Sequence, residues 1–121
     1  METYVHELIQ IQQQLRIFHW QTKSYARHKA YGETYEALGD LIDTFVETHM
    51  GKYGRFQLVD NSVELTNMND VSVKEFLGSA TNFLIGMTEQ LDPQNDTDLL
   101  NIRDEMLGEI NKLKYLLSLE W

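Results

Sequence analysis

The sequence has no cysteine, a single proline and no apolar run long enough to span a bilayer. Without thiols there is no disulfide scaffold, no Cys-ligated zinc and no thiol catalysis. Without a long apolar run no transmembrane helix forms, and no membrane partner is expected. One proline, Pro93, is too few turn breakers for a sandwich or barrel and points to helices. The start METYVHELIQIQQQ lacks the basic residues and apolar core of a signal peptide, so the expected compartment is the cytoplasm. Positive charge is scarce as well: 10 Lys+Arg stand against 19 Asp+Glu, a net charge of −9. A surface of that sign repels phosphate, so nucleic acid is not an expected partner, whereas cations would gather on it.

What is present suffices for a packed core. The 121 residues are 42% hydrophobic and 24% charged, which fits one domain spanning the whole chain, 1–121. Four stretches carry a helical period. From about Thr3 to Gln21, the residues Tyr4, Leu8, Ile11, Leu15 and Phe18 form one stripe, with Gln10, Gln12, Gln13, Gln14 and Arg16 mostly off it. From about Ala30 to Met50 the stripe is Tyr31, Tyr35, Leu38, Ile42 and Phe45, and Gly51 supplies a stop. The third helix runs from about Val73 to Gln90, with Ser72 and Glu75 at capping-box spacing. The fourth runs from about Thr97 to Leu119, with Asp96 as its cap and Leu99, Ile102, Met106, Ile110, Leu113 and Leu117 inward.

The links are short, long, short. Residues 51–71 between the second and third helices are long enough to travel back along a bundle. This favours an all-α, ferritin-like four-helix bundle, two helical hairpins joined by one long crossover, over the rival of a plain up-down bundle with a disordered middle loop. Short extended pieces are expected at Phe56–Val59 and Ser62–Leu65. A terminal Trp121 is expected to cover a core end or an assembly contact.

Chemistry concentrates on the first two helices. Glu36, Asp40, Asp43 and Glu47 recur at 4-3-4 spacing and form an acidic stripe beside the apolar one. Asp43 and Glu47 are four apart, so their oxygens can converge on one cation, and oxygen donors with a few imidazoles suit iron or manganese. His19 follows the core position Phe18 and precedes Trp20, at the edge of the buried seam. A lone histidine there is more often a satisfied boundary residue than a ligand. His28 lies in the turn or at the start of the second helix. His6 and His49 read as surface or boundary residues, and Lys52, Tyr53 and Arg55 as charge compensation at the C-terminal end of the second helix, with a phosphate or partner contact as the alternative.

The run FHWQTKSYARHKAYGETYEALGDLIDTFVE resembles the ferroxidase-site region of the Dps family of mini-ferritins. The resemblance rests on the His19–Trp20 pair, on His28, and on Asp43 and Glu47 at their spacing. It implies an iron site, di-iron or mono-iron and open to other divalent metals, shared between subunits of a homo-oligomer, a dimer at minimum and a cage at most. One subunit would supply His19 and His28 and the other Asp43 and Glu47, with Trp20 packed on the site. Fe(II) would be oxidised there by oxygen or peroxide, for iron storage or peroxide detoxification. The competing expectation is a non-catalytic helical structural or interaction protein on the same fold, of the kind a virus or phage encodes. A third is a bundle unrelated to ferritins whose acidic face keeps it in solution.

Overall fold

A computed structural model describes residues 2–58, 62–68 and 70–119. It contains α1 (Glu2–Gln21), α2 (Tyr25–Tyr53), α3 (Asp70–Gly86) and α4 (Thr97–Ser118), with a 3-10 turn at Met87–Glu89. Among the described residues there is no strand, so the all-helical expectation holds and the extended pieces at 56–58 and 62–65 form no ladder. Val59 lies outside the described residues, as does Trp121. No described helix is long and apolar enough to cross a membrane.

The apolar stripes become the core. Tyr4, Leu8, Ile11, Leu15 and Phe18 from α1 are buried with Tyr31, Leu38, Ile42 and Phe45 from α2. Val73, Leu77, Ala80 and Leu84 from α3 and Leu99, Met106, Ile110, Leu113 and Leu117 from α4 complete it. Two aromatic knots sit at opposite ends. At one, Phe18 meets Tyr31 (5.7 Å between ring centroids) and the edge of Phe76 (5.6 Å). At the other, Tyr4 meets Phe45 (6.3 Å) and Phe83 (6.2 Å), both edge-on. Edge-on pairs of this kind add about 1 kcal/mol each to the burial itself.

These contacts also fix helix directions. Phe18 lies near Phe76 and Tyr4 near Phe83, so α1 and α3 are antiparallel. The hairpin turn makes α1 and α2 antiparallel, so α2 and α3 run the same way. The crossover must therefore climb the bundle, and α1 holds it with glutamines. Gln14, buried against the crossover, donates to the Thr66 carbonyl (2.9 Å) and accepts from the Thr66 amide (2.8 Å). Gln10 accepts from the Glu64 amide (3.1 Å) and Gln21 from the Met68 amide (2.6 Å). A segment without its own backbone ladder must find partners elsewhere. Here the alternate residues 64, 66 and 68 find them on one helix.

Three capping expectations change. α2 runs through Gly51 to Tyr53 and is closed by Gly54 (φ 90), whose amide donates to the Met50 carbonyl. α3 begins at Asp70, so Ser72 lies inside the helix rather than at its cap, with its side chain outside the described residues. Asp96 occupies the N-cap position of α4 but its side chain does not cap that helix. Its carboxylate instead accepts from the Asp92 amide (2.8 Å) and from the Tyr53 hydroxyl.

Buried Arg103 locks the second hairpin. Its Nη1 donates to the Leu84 carbonyl (2.8 Å) and to Thr88 Oγ1 (2.6 Å), and its Nε to Asp104 (2.9 Å). The Leu84 carbonyl lies in the last turn of α3, where backbone acceptors need outside donors.

Candidate functional site

The first hairpin turns in three residues, Thr22, Lys23 and Ser24. Ser24 has extended backbone (φ −97, ψ 124) and its hydroxyl accepts from the Arg27 amide, which starts α2. The tight turn brings His19 and His28 face to face, with ring centroids 3.9 Å apart and planes 18° from parallel. Each ring is then held by the other residue's backbone. His19 Nδ1 donates to the His28 carbonyl (2.7 Å), and His28 Nδ1 donates to the His19 carbonyl (2.8 Å). A carbonyl only accepts, so both rings carry the proton on Nδ1 in these bonds. The His28 ring also satisfies one of the terminal carbonyls of α1.

The stack continues in both directions. Tyr25 lies on the outer side of His28 (6.4 Å, 25°), and Tyr35 stacks on His19 (6.5 Å, 30°). The Arg16 guanidinium lies 4.6 Å from the Tyr35 ring centre and 5.7 Å from that of Trp20, and donates to the Tyr35 hydroxyl. Six side chains thus form one ladder: Tyr25, His28, His19, Tyr35, Arg16, Trp20. Its two ends are open, with Tyr25 75% and Trp20 64% exposed. Room for the ladder comes from Gly32, where a Cβ would lie 2.8 Å from His19 Cε1.

The charge of this stretch of sequence differs from that of the chain. Residues 8–32 contain Arg16, Lys23, Arg27 and Lys29 and no Asp or Glu. Lys23 and Lys29 are exposed. The acidic stripe begins beyond this region on α2, and Glu36, Asp40, Asp43 and Glu47 are all exposed. A shallow, open depression of about 420 Å³ lies along it, lined by Gln12, Tyr35, Glu36, Gly39, Asp40 and Asp43.

At the far end of α2, Lys52 bridges Asp96 (3.0 Å) and Asp98 (2.8 Å). The hydrogen bonds to Asp98 and Asp96 raise the Lys52 pKa. The Tyr53 hydroxyl, with the Asp92 amide and Lys52, pulls the Asp96 carboxyl down to about 2. Lys52 and Tyr53 therefore fasten α2 to α4. His49 packs its ring against Tyr53 (4.8 Å) and Phe45 (6.4 Å).

The histidines and the carboxylates named from the sequence thus separate within the chain. His28 and Asp43 are fifteen residues apart on one helix, about 22 Å along its axis. The ladder joins His19 and His28 to Tyr25, Tyr35, Arg16 and Trp20. Sequence reasoning placed no role on Tyr25 or Arg16. The signal available was the acid-free stretch with an aromatic or cation every few residues.

A family model described as a family of unknown function, DUF5856, matches residues 19–117. A protein of Enterobacteria phage T4, described as an uncharacterized 14.6 kDa protein in the mobD-ri intergenic region, is 29% identical over 119 residues. That match covers 98% of this chain and 88% of the phage protein. No solved structure matches. Neither match is to a Dps or other ferritin-like family. Among the described residues no group of three or more His, Asp or Glu side chains is arranged to hold a metal ion. The mini-ferritin resemblance is therefore corrected, and with it the iron-binding and ferroxidase expectations. The physical reason is local: the His-Trp pair and His28 belong to the stacked hinge. Asp43 and Glu47 belong to an exposed helix face.

Proposed function

Because the chain belongs to DUF5856, a family of unknown function, we propose from its geometry a non-catalytic helical interaction protein, of the kind a phage encodes, that binds an anionic partner at the α1–α2 hinge. The bundle is the scaffold. Its parallel α2 and α3 and lengthwise crossover support reading the connectivity as ferritin-like.

One observation carries the proposal. The hinge concentrates Arg16, Lys23, Arg27 and Lys29 without a carboxylate in residues 8–32, in a chain of net charge −9. Where cations gathered on one stretch of an acidic protein outnumber the neighbouring carboxylates, here Glu33 and Glu75, they create a local field opposite in sign to the whole. Such a field draws an anionic group to that stretch and repels it elsewhere, so charge fixes orientation as well as encounter rate.

The test is retention of the full chain on immobilised heparin, a polyanion without bases, at low ionic strength. The protein is expected to bind despite its acidity and to elute as salt rises. The Lys23→Glu, Lys29→Glu double variant, altered only at exposed positions, is expected to flow through. Flow-through of the parent chain, or equal retention of the variant, contradicts the proposal.

A further inference from the structure

Resting on that reading of the hinge, we infer that the anionic partner is a single-stranded nucleic acid, whose bases extend the Tyr25–Trp20 ladder while its phosphates meet Lys23, Arg27 and Lys29. Charge alone does not choose between an acidic peptide and a nucleic acid. The ladder does. Four of its rings, Tyr25, His28, His19 and Tyr35, are near parallel, at 25°, 18° and 30° between successive planes, so the stack has an axis along which another flat ring adds at the Tyr25 end. Both terminal rings are more exposed than not, Tyr25 at 75% and Trp20 at 64%. The inner rings are held by reciprocal ring-to-backbone bonds (2.7 and 2.8 Å). The platform is therefore ordered before a ligand arrives, which lowers the entropic cost of stacking on it.

An acidic peptide would use the cations and leave the ring faces in water. A duplex would present phosphates but keep its base faces inside its own stack. A single strand offers both phosphates and free π-faces, the combination that aromatic platforms beside basic grooves recognise without sequence preference. Arg16 fits the same chemistry, since its guanidinium lies 5.7 Å from the Trp20 ring centre and 4.6 Å from that of Tyr35 and so adds positive charge beside the rings. The exposed carboxylates Glu36, Asp40, Asp43 and Glu47 disfavour binding farther along α2. Affinity falls steeply with salt: three phosphate contacts give a slope of log K on log salt of about −2.

The experiment is fluorescence anisotropy of end-labelled oligothymidylate titrated with the full chain at low salt. An abasic oligomer of equal length, a DNA duplex and polyglutamate are the comparisons. The parent chain is expected to bind oligothymidylate at least about tenfold more tightly than the abasic oligomer, the loss expected when one stacked base is removed. Tyr25→Ala is expected to weaken oligothymidylate about tenfold and leave the abasic oligomer unchanged. Lys23→Glu is expected to weaken both. Circular dichroism melting confirms that each variant folds. Equal binding of the abasic oligomer overturns the stacking inference while leaving the anionic surface intact. Binding of polyglutamate or of duplex as tight as that of oligothymidylate overturns the assignment to a single strand. Retention on heparin without binding of oligothymidylate overturns it too, and loss of both overturns the hinge as a binding surface.

Discussion

His19 and His28 make the same hydrogen bond in opposite directions: the Nδ1 of each donates to the backbone carbonyl of the other, at 2.7 and 2.8 Å, across a 3.9 Å ring stack. Two residues nine apart in sequence thereby join the end of one helix to the start of the next. Each ring spends one nitrogen on this closure, and together they form the centre of the hinge platform.

That reciprocity is measurable. His19→Ala and His28→Ala each remove one ring-to-carbonyl bond and the shared stack, and each is expected to cost about 1–2 kcal/mol in urea unfolding. The double variant is expected to cost less than the sum, with a coupling on the order of 0.5–1 kcal/mol. Additive costs would mean that the rings do not stabilise one another.

Gly32 and Gly39 lie on the same seam of α2 and should respond differently to alanine. A Cβ at Gly32 meets His19 Cε1 at 2.8 Å, in a ring fixed on both sides. At Gly39 it meets Gln12 Nε2 at 2.6 Å, the far end of a flexible side chain. Helix propensity favours alanine at both by about 1 kcal/mol. Gly39→Ala is expected to be neutral or stabilising by up to about 1 kcal/mol, once Gln12 turns aside. Gly32→Ala is expected to be destabilising by about 1–2 kcal/mol, because the ladder has to shift. Thermal melts of the two variants give the comparison, and a stabilised Gly32→Ala would contradict the packing described.

Gln14 should act as the main clasp of the crossover. It is 2% exposed and both donates to and accepts from Thr66. Gln14→Leu keeps the bulk but leaves the Thr66 amide and carbonyl without these partners. The expected cost is about 2 kcal/mol. Limited proteolysis is expected to cut within residues 62–68 faster than in the parent chain, and an unchanged cleavage rate would show that other contacts hold the segment.

The α2–α4 clasp predicts a pH profile. Asp96 falls from its ordinary 3.8 to about 2, led by the Tyr53 hydroxyl and followed by the Asp92 amide. A folded pKa below the unfolded one means that the stabilisation is complete above the unfolded value and is lost as pH falls through the folded one. Lys52 shifts upward, so its share is complete below its ordinary value and fades as pH rises through the folded one. Asp96→Asn is expected to lower the melting temperature at neutral pH and to flatten its decline between about pH 4 and pH 2. An unchanged acid slope would remove Asp96 from the account.

Much of the fold was legible because periodicity reports burial directly. Phe18, Phe45, Met106 and Leu117 were placed inward by spacing alone, and all are fully buried. The crossover was legible from link lengths, but its attachment was not. Gln10, Gln14 and Gln21 look like polar surface in sequence, since nothing local says that an amide will meet a backbone 52 residues away. The family was misread for a related reason. His19, His28, Asp43 and Glu47 have spacings that fit a metal site shared between chains. The same spacings fit a histidine stack at a turn and an acidic face on a helix. Spacing alone does not separate the two. The basic hinge was hidden by the net charge of −9, a sum over the chain that says nothing about where the cations lie.

The most direct test of the central claim is the ¹⁵N–¹H spectrum of the full chain, recorded with and without oligothymidylate at low salt. Amide shifts are expected to move in residues 16–35, centred on Trp20, Tyr25 and Lys29, and to stay fixed around Asp43, Glu47 and the Lys52–Asp96 clasp. Shifts centred on the acidic face of α2 would contradict the assignment of the hinge as the working surface, and a spectrum unchanged at saturating oligomer would contradict the assignment of its partner as a single strand.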